Sequence, residues 1–165
     1  MTIWVYWIRW WLGTSFFLMT QRAIDGPYIY FVTTNATYRA RIFDSADTAK
    51  ILGAIITSAC KEFQFILYGY CILPDHMHLL VEKSGMATLS ILMKHIKGRF
   101  WQVYNKGSGL RLWQPRFNFR IIESVDRFNN TVEYIQYNYI KVSLSDQYGK
   151  APFVCINWRV IHDAL

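Results

Sequence analysis

Cysteine is scarce and scattered. Cys60, Cys71 and Cys155 are too few and too widely spaced for a disulfide framework or a zinc knuckle. They imply a reducing, cytoplasmic compartment, with Cys60 and Cys71 serving as small apolar residues. Acidic residues are also short, with 11 Asp and Glu against 18 Lys and Arg. Residues 1–82 hold six of each sign, whereas residues 83–165 hold twelve basic against five acidic. An excess placed in one half of a chain points to a polyanionic partner, nucleic acid before membrane. An uninterrupted apolar run is missing as well. Ile3 to Met19 is apolar and aromatic, but Arg9 breaks it, and it falls short of the roughly 20 residues that span a bilayer. It also lacks the basic start and clean apolar core of a signal peptide. Two readings of it stay open: an interfacial anchor built on Trp4, Trp7, Trp10 and Trp11, or a start extended ahead of a natural Met19. Membrane attachment is not the expected one.

There is no repeat, low-complexity tract or linker, and 165 residues suit one domain. The expected division is an apolar extension over 1–19, a single domain over 20–145, and a tail over 146–165 with little periodicity. Tyr28 to Thr34 reads as a strand from its aromatic and β-branched content. Asp44, Ser45 and Asp47 offer caps for a helix reaching about Glu62. Phe63 to Leu73 and His76 to Lys83 form an antiparallel pair across the Pro74-Asp75 break. Thr88 opens a second helix, with Leu89, Leu92, Met93, Ile96, Phe100 and Val103 on its buried face. Gly107-Ser108-Gly109 ends it, Phe117 to Glu123 makes a fourth strand, and Asp126 caps a third helix. The order βαββαβ plus one helix predicts an α+β fold: a ferredoxin-like, split βαβ antiparallel sheet with one helix added at its carboxy-terminal end.

Within this frame, His76 and His78 flank one apolar residue in a strand, so both imidazoles face the same side, as a divalent metal requires. Such pairs also occur by chance, their rings bonded to backbone. A second constellation raises the metal reading: Tyr134, Asn138 and Lys141 share one stripe of the third helix. Two imidazoles and the Asn138 amide oxygen form a three-ligand set with positions left for phosphate and water, and mixed nitrogen and oxygen ligation suits Mg²⁺ or Mn²⁺. Tyr134, one turn before Asn138, is placed as nucleophile, with metal and Lys141 favouring its phenolate. Tyr137 is a competing phenol in a worse place. Nine basic residues between Lys83 and Arg127 interleave with aromatic rings, the combination that holds single-stranded nucleic acid, although at least half of those rings belong to the core. Lys94, Lys97, Arg99, Arg116, Arg120 and Lys141 are the candidate DNA contacts.

Tyr28-Ile29-Tyr30-Phe31-Val32-Thr33, Leu73-Pro74-Asp75-His76-Met77-His78-Leu79-Leu80, Lys94 to Phe100, Leu112-Trp113-Gln114 and Tyr134-Ile135-Gln136-Tyr137-Asn138 together resemble the single-tyrosine transposases with a His-hydrophobic-His motif, most closely the REP-associated tyrosine transposases. The resemblance covers about residues 20 to 145. It implies a metal held by His76, His78 and Asn138, attack by Tyr134 on single-stranded DNA, a 5′-phosphotyrosine with a free 3′-OH, and DNA hairpins as recognition elements. No small-molecule organic cofactor is expected. A monomer and a homodimer with exchanged helices would carry the same motif. The alternatives kept beside it are a domesticated, non-catalytic hairpin binder and a replication or mobilisation nickase. The family usually follows the helical Asn with Pro-Val-Lys and then Gly. Here Tyr139-Ile140-Lys141 and Ser143 stand instead, so the helix is expected to run on.

Overall fold

The computed structural model describes residues 26–105, 109 and 111–164. The expectations for Ile3 to Met19, and for Gly107 and Ser108, lie outside the described residues. The elements in order are β1 (Ile29–Asn35), α1 (Ala46–Glu62), β2 (Phe65–Leu73), β3 (His76–Lys83), α2 (Leu89–Asn105), β4 (Asn118–Ile122), α3 (Val125–Lys141), β5 (Val154–Ile156) and α4 (Trp158–Ala164). The sheet runs β4-β1-β3-β2-β5, antiparallel at every pairing. Its first four strands have the order expected of a split βαβ unit, and β5 adds a fifth at the edge of β2.

Strand alternation divides the molecule into two layers. Tyr30, Val32, Met77, Leu79 and Val81 face α1 and α2, where Leu52, Ile56, Leu92, Met93, Ile96 and Phe100 complete the larger core. Phe31, Cys71, Leu73 and Leu80 face the opposite way, against Phe128, Val132 and Ile135 of α3 and Ile161 of α4. A bulge between Leu67 and Gly69 reverses the alternation within β2. Phe65 and Leu67 thus face the same layer as Tyr70 and Ile72.

The ends of the elements refine the sequence reading. Ser45 caps α1, its side chain accepting the Thr48 N–H, and the Thr88 hydroxyl accepts the Ile91 N–H at the start of α2. The cap of α3 is Ser124, which accepts from Arg127 N–H; Asp126 instead lies in the first turn, favourable to the helix dipole. Val103 is exposed, because the apolar stripe of α2 leaves the core after Phe100. Residues 146–164 form a 3-10 turn, β5 and α4, with Tyr148, Phe153 and Ile161 buried. No helix among the described residues is long and apolar enough to cross a membrane.

α3 also stops sooner than expected. The Ser143 N–H donates to Ile140 O and the Leu144 N–H to Tyr139 O, the paired bonds of a Schellman motif, with Ser143 at φ +55. That is the left-handed position that favours glycine, and the serine occupies it at a cost. Ser143→Gly should therefore raise stability by about 1 kcal/mol, measured as a higher urea midpoint at unchanged m-value.

Candidate active site

The sheet face covered by α3 gathers the residues singled out in the sequence. Pairing of Thr33 with His78, and of Asn35 with His76, sets β1 alongside the two histidines. Thr33 Oγ1 lies 2.8 Å from His78 Nδ1, and Asp75 Oδ1 lies 2.6 Å from His76 Nδ1. Each imidazole is thereby engaged through Nδ1. The two rings stand edge to face, with centroids 4.9 Å apart.

α3 brings the tyrosine to this pair. Buried Val132 and Ile135 fix the helix rotation and turn Tyr134 and Asn138 toward the sheet. The Tyr134 hydroxyl comes to 3.5 Å from His78 Nε2. Phe31 forms a floor beneath both groups, stacked on the His78 ring at 5.2 Å and edge-on to the Tyr134 ring at 5.7 Å. Asn138 is only 2% exposed, and its Oδ1 has no hydrogen-bond partner among the described residues. An orphaned buried carbonyl oxygen is costly unless something absent here completes it.

The electrostatics follow from burial. His78 is pushed down to about 3, first by loss of water and then by the positive charges of His76, Arg120 and Arg39. His76 is lowered too, chiefly by burial, with Asp75 opposing. Both rings are neutral donors at neutral pH. The Tyr134 phenol is raised by burial, while hydrogen bonding from Asn138 and the charge of Arg120 pull it back.

Those features meet the requirements of a divalent cation: neutral imidazoles oriented through Nδ1, Nε2 left as the donor atom, and a buried amide oxygen in need of a partner. Among the described residues no three His, Cys, Asp or Glu side chains cluster to hold a metal.

The expected DNA contacts fall into two groups. Arg120 and Lys141 belong to this face: the Arg120 guanidinium lies 5.3 Å from the Phe31 ring centre and Lys141 Nζ lies 4.9 Å from that of Tyr134. Lys141 is thus over the ring rather than bonded to the phenol oxygen. Lys94 and Arg99 are exposed on α2, in the other layer. Lys97 donates to the carbonyls of Gln114 and Arg116 and is pushed down to about 8 by burial and Arg111. It holds the segment before β4. Arg116 is exposed there, and Tyr137 is 44% exposed on the outside of α3.

Thr33, Phe31 and the ion pair between Arg39 and Asp75 escaped the sequence reading. Asp75, directly before His76, was the visible signal; the partner of each Nδ1 depends on strand register and turn geometry.

Comparison with known proteins agrees with this architecture. Residues 27–138 match the model of the family described as "Transposase IS200 like". A Haemophilus influenzae protein assigned as a REP-associated tyrosine transposase is 30% identical over 96 residues, 50% of this chain and 53% of that protein. The chain thus spans about half the length of that curated relative. A REP-associated tyrosine transposase solved bound to a REP hairpin has a similar fold, with TM-score 0.67 and 24% identity, over 86% of this chain and 83% of the other. A protein of Deinococcus radiodurans R1 assigned as a transposase aligns with TM-score 0.51 and 17% identity, over 75% of this chain and 96% of that one. The chain belongs to the IS200-like transposase family, and within it is similar to the REP-associated tyrosine transposases.

Proposed function

We propose that this chain cuts and rejoins single-stranded DNA at hairpin-flanked sites in the cytoplasm, with Tyr134 as nucleophile. The observation that carries the reading is the convergence of the Tyr134 hydroxyl on His78 Nε2, beside a second oriented imidazole and the unpartnered Asn138 oxygen. His76, His78 and Asn138 would hold Mg²⁺ or Mn²⁺, which supplies charge stabilisation at a phosphodiester. The Tyr134 oxygen attacks phosphorus as its proton leaves to solvent, and the P–O3′ bond breaks with the departing O3′ taking a proton from solvent. This yields a 5′-phosphotyrosine and a free 3′-OH; the reverse attack reseals the strand without an external energy source. Arg120 and Lys141, the cations beside the phenol, face the strand being cut. The similarity to a transposase solved on a REP hairpin supports hairpin DNA as the partner.

The test is incubation of the purified chain with single-stranded hairpin DNA radiolabelled at its internal phosphates and Mg²⁺ or Mn²⁺, followed by denaturing electrophoresis. A label that stays with the protein and is released as phosphotyrosine on acid hydrolysis is the expected result. Hairpin binding with no adduct under either metal would overturn catalysis and leave a DNA-binding protein.

A further inference from the structure

His76 stands at one end of a polar relay that the reaction itself does not use. His76 Nδ1 meets Asp75 Oδ1 at 2.6 Å, and Asp75 Oδ2 accepts from Arg39 Nε at 2.8 Å. A second Arg39 nitrogen donates to Asn35 Oδ1 at 2.5 Å, and Asn35 Nδ2 donates to Gln114 Oε1 at 3.2 Å. Backbone bonds brace the same chain: the Ala36 N–H donates to Asp75 O and the Gln114 N–H to Asn35 O. The turn carrying Arg39 is wrapped on the turn that carries Asp75.

Two further observations show that this geometry is imposed. Tyr38 and Arg39 lie consecutively in left-handed backbone, at φ 54 and 56, without a glycine between them. Such strain persists only where surrounding contacts hold it. Arg39 has no buried apolar role: its side chain is 53% exposed, against 22% for Asp75 and 13% for His76. The guanidinium therefore spans from solvent to the half-buried carboxylate that orients the imidazole, and its planar fork reaches Asp75 and Asn35 at once, which an ammonium cannot copy.

We propose that Arg39 is a positioning residue for His76: through Asp75 it holds the imidazole with Nδ1 engaged and Nε2 free to donate. The inference deepens the reading of His76 as a metal donor and rests on it. An outer-shell partner of this kind supports metal affinity by about 10-fold or more. Asn35 and Gln114 hold the arginine from its other side, tying the segment before β4 to the same histidine.

The experiment titrates the metal-free full chain with Co²⁺, read by visible absorption, and in parallel measures metal-free affinity for a fluorescent single-stranded DNA hairpin. Arg39→Ala should weaken Co²⁺ binding about 10-fold and leave hairpin affinity in place. Arg39→Lys should restore part of the loss. Asp75→Asn should cost a similar amount, and the double variant no more than the worse single one, because both act along one path. Co²⁺ affinity unchanged in Arg39→Ala, with His76→Ala weakening it, would overturn the role of Arg39 and leave the metal reading standing. Hairpin affinity lost at unchanged Co²⁺ affinity would make Arg39 a phosphate contact instead. Equal Co²⁺ binding by the wild type and His76→Ala would remove His76 from the metal site, and this inference with it.

Discussion

Tyr134→Phe should abolish the covalent protein–DNA adduct while leaving hairpin binding nearly unchanged. The substitution removes one oxygen and keeps the ring that packs edge-on to Phe31 and under Lys141. Its hydroxyl meets His78 only at 3.5 Å and is also bonded by Asn138, so its removal costs about 1–2 kcal/mol, too little to unfold an ordinary domain. Fold and binding surface therefore survive, and the loss is chemical. Burial holds the phenol above its ordinary value, so the protein alone does not ionise it at neutral pH. Arg120 and Asn138 act in the opposite sense, and a bound cation would add to them. The control is Tyr137→Phe, which should keep full adduct yield because that ring is 44% exposed on the outer side of α3. Quantifying the denaturation-resistant adduct for both variants decides the matter. Undiminished yield from Tyr134→Phe would take the nucleophile away from this residue.

The second large effect is acid destabilisation centred on His78. The folded state holds this ring neutral down to about pH 3, whereas an unfolded chain protonates it near 6.5. The folded-state value is depressed, so its contribution is fully present above about pH 6.5 and is lost as pH falls toward 3. Across that window the loss amounts to a few kcal/mol, a large share of an ordinary domain's stability. His76, lowered chiefly by burial, acts in the same sense. In urea unfolding with chelator present, the wild type should lose about 2 kcal/mol between pH 6.5 and pH 5. His78→Gln, uncharged throughout, should show a much flatter dependence. Parallel slopes for the two proteins would mean that His78 is not the group responsible.

The parts of this site that were legible in the sequence are those set by local periodicity. His76 and His78 share a face because strand side chains alternate, and Tyr134 and Asn138 share a stripe because they are four apart on a helix. The same periodicities placed β1 to β4 and the first three helices and gave the ferredoxin-like order. What could not be read depends on contacts distant in sequence. The Thr33 bond to His78 requires the β1–β3 register, and the Arg39 ion pair requires two turns to wrap each other. Lys97 is a candidate DNA contact from its charge; its bonds to the carbonyls of Gln114 and Arg116 come only with the fold. β5 was invisible because three partly buried residues carry no alternation to detect.

That short strand also bears on solubility. β2 is nine residues long and almost wholly apolar, and its outer margin would otherwise present open backbone N–H and C=O groups, a template for edge-to-edge aggregation. β5 pairs with Gly69, Tyr70 and Cys71 on that margin. The opposite margin, β4, is defended differently: it is short, and Asn118 and Arg120 stand exposed along it. The sheet is guarded at one end by a covering strand and at the other by polarity, so a carboxy-terminal segment that adds no residue to the proposed site serves to keep the protein from sticking to itself.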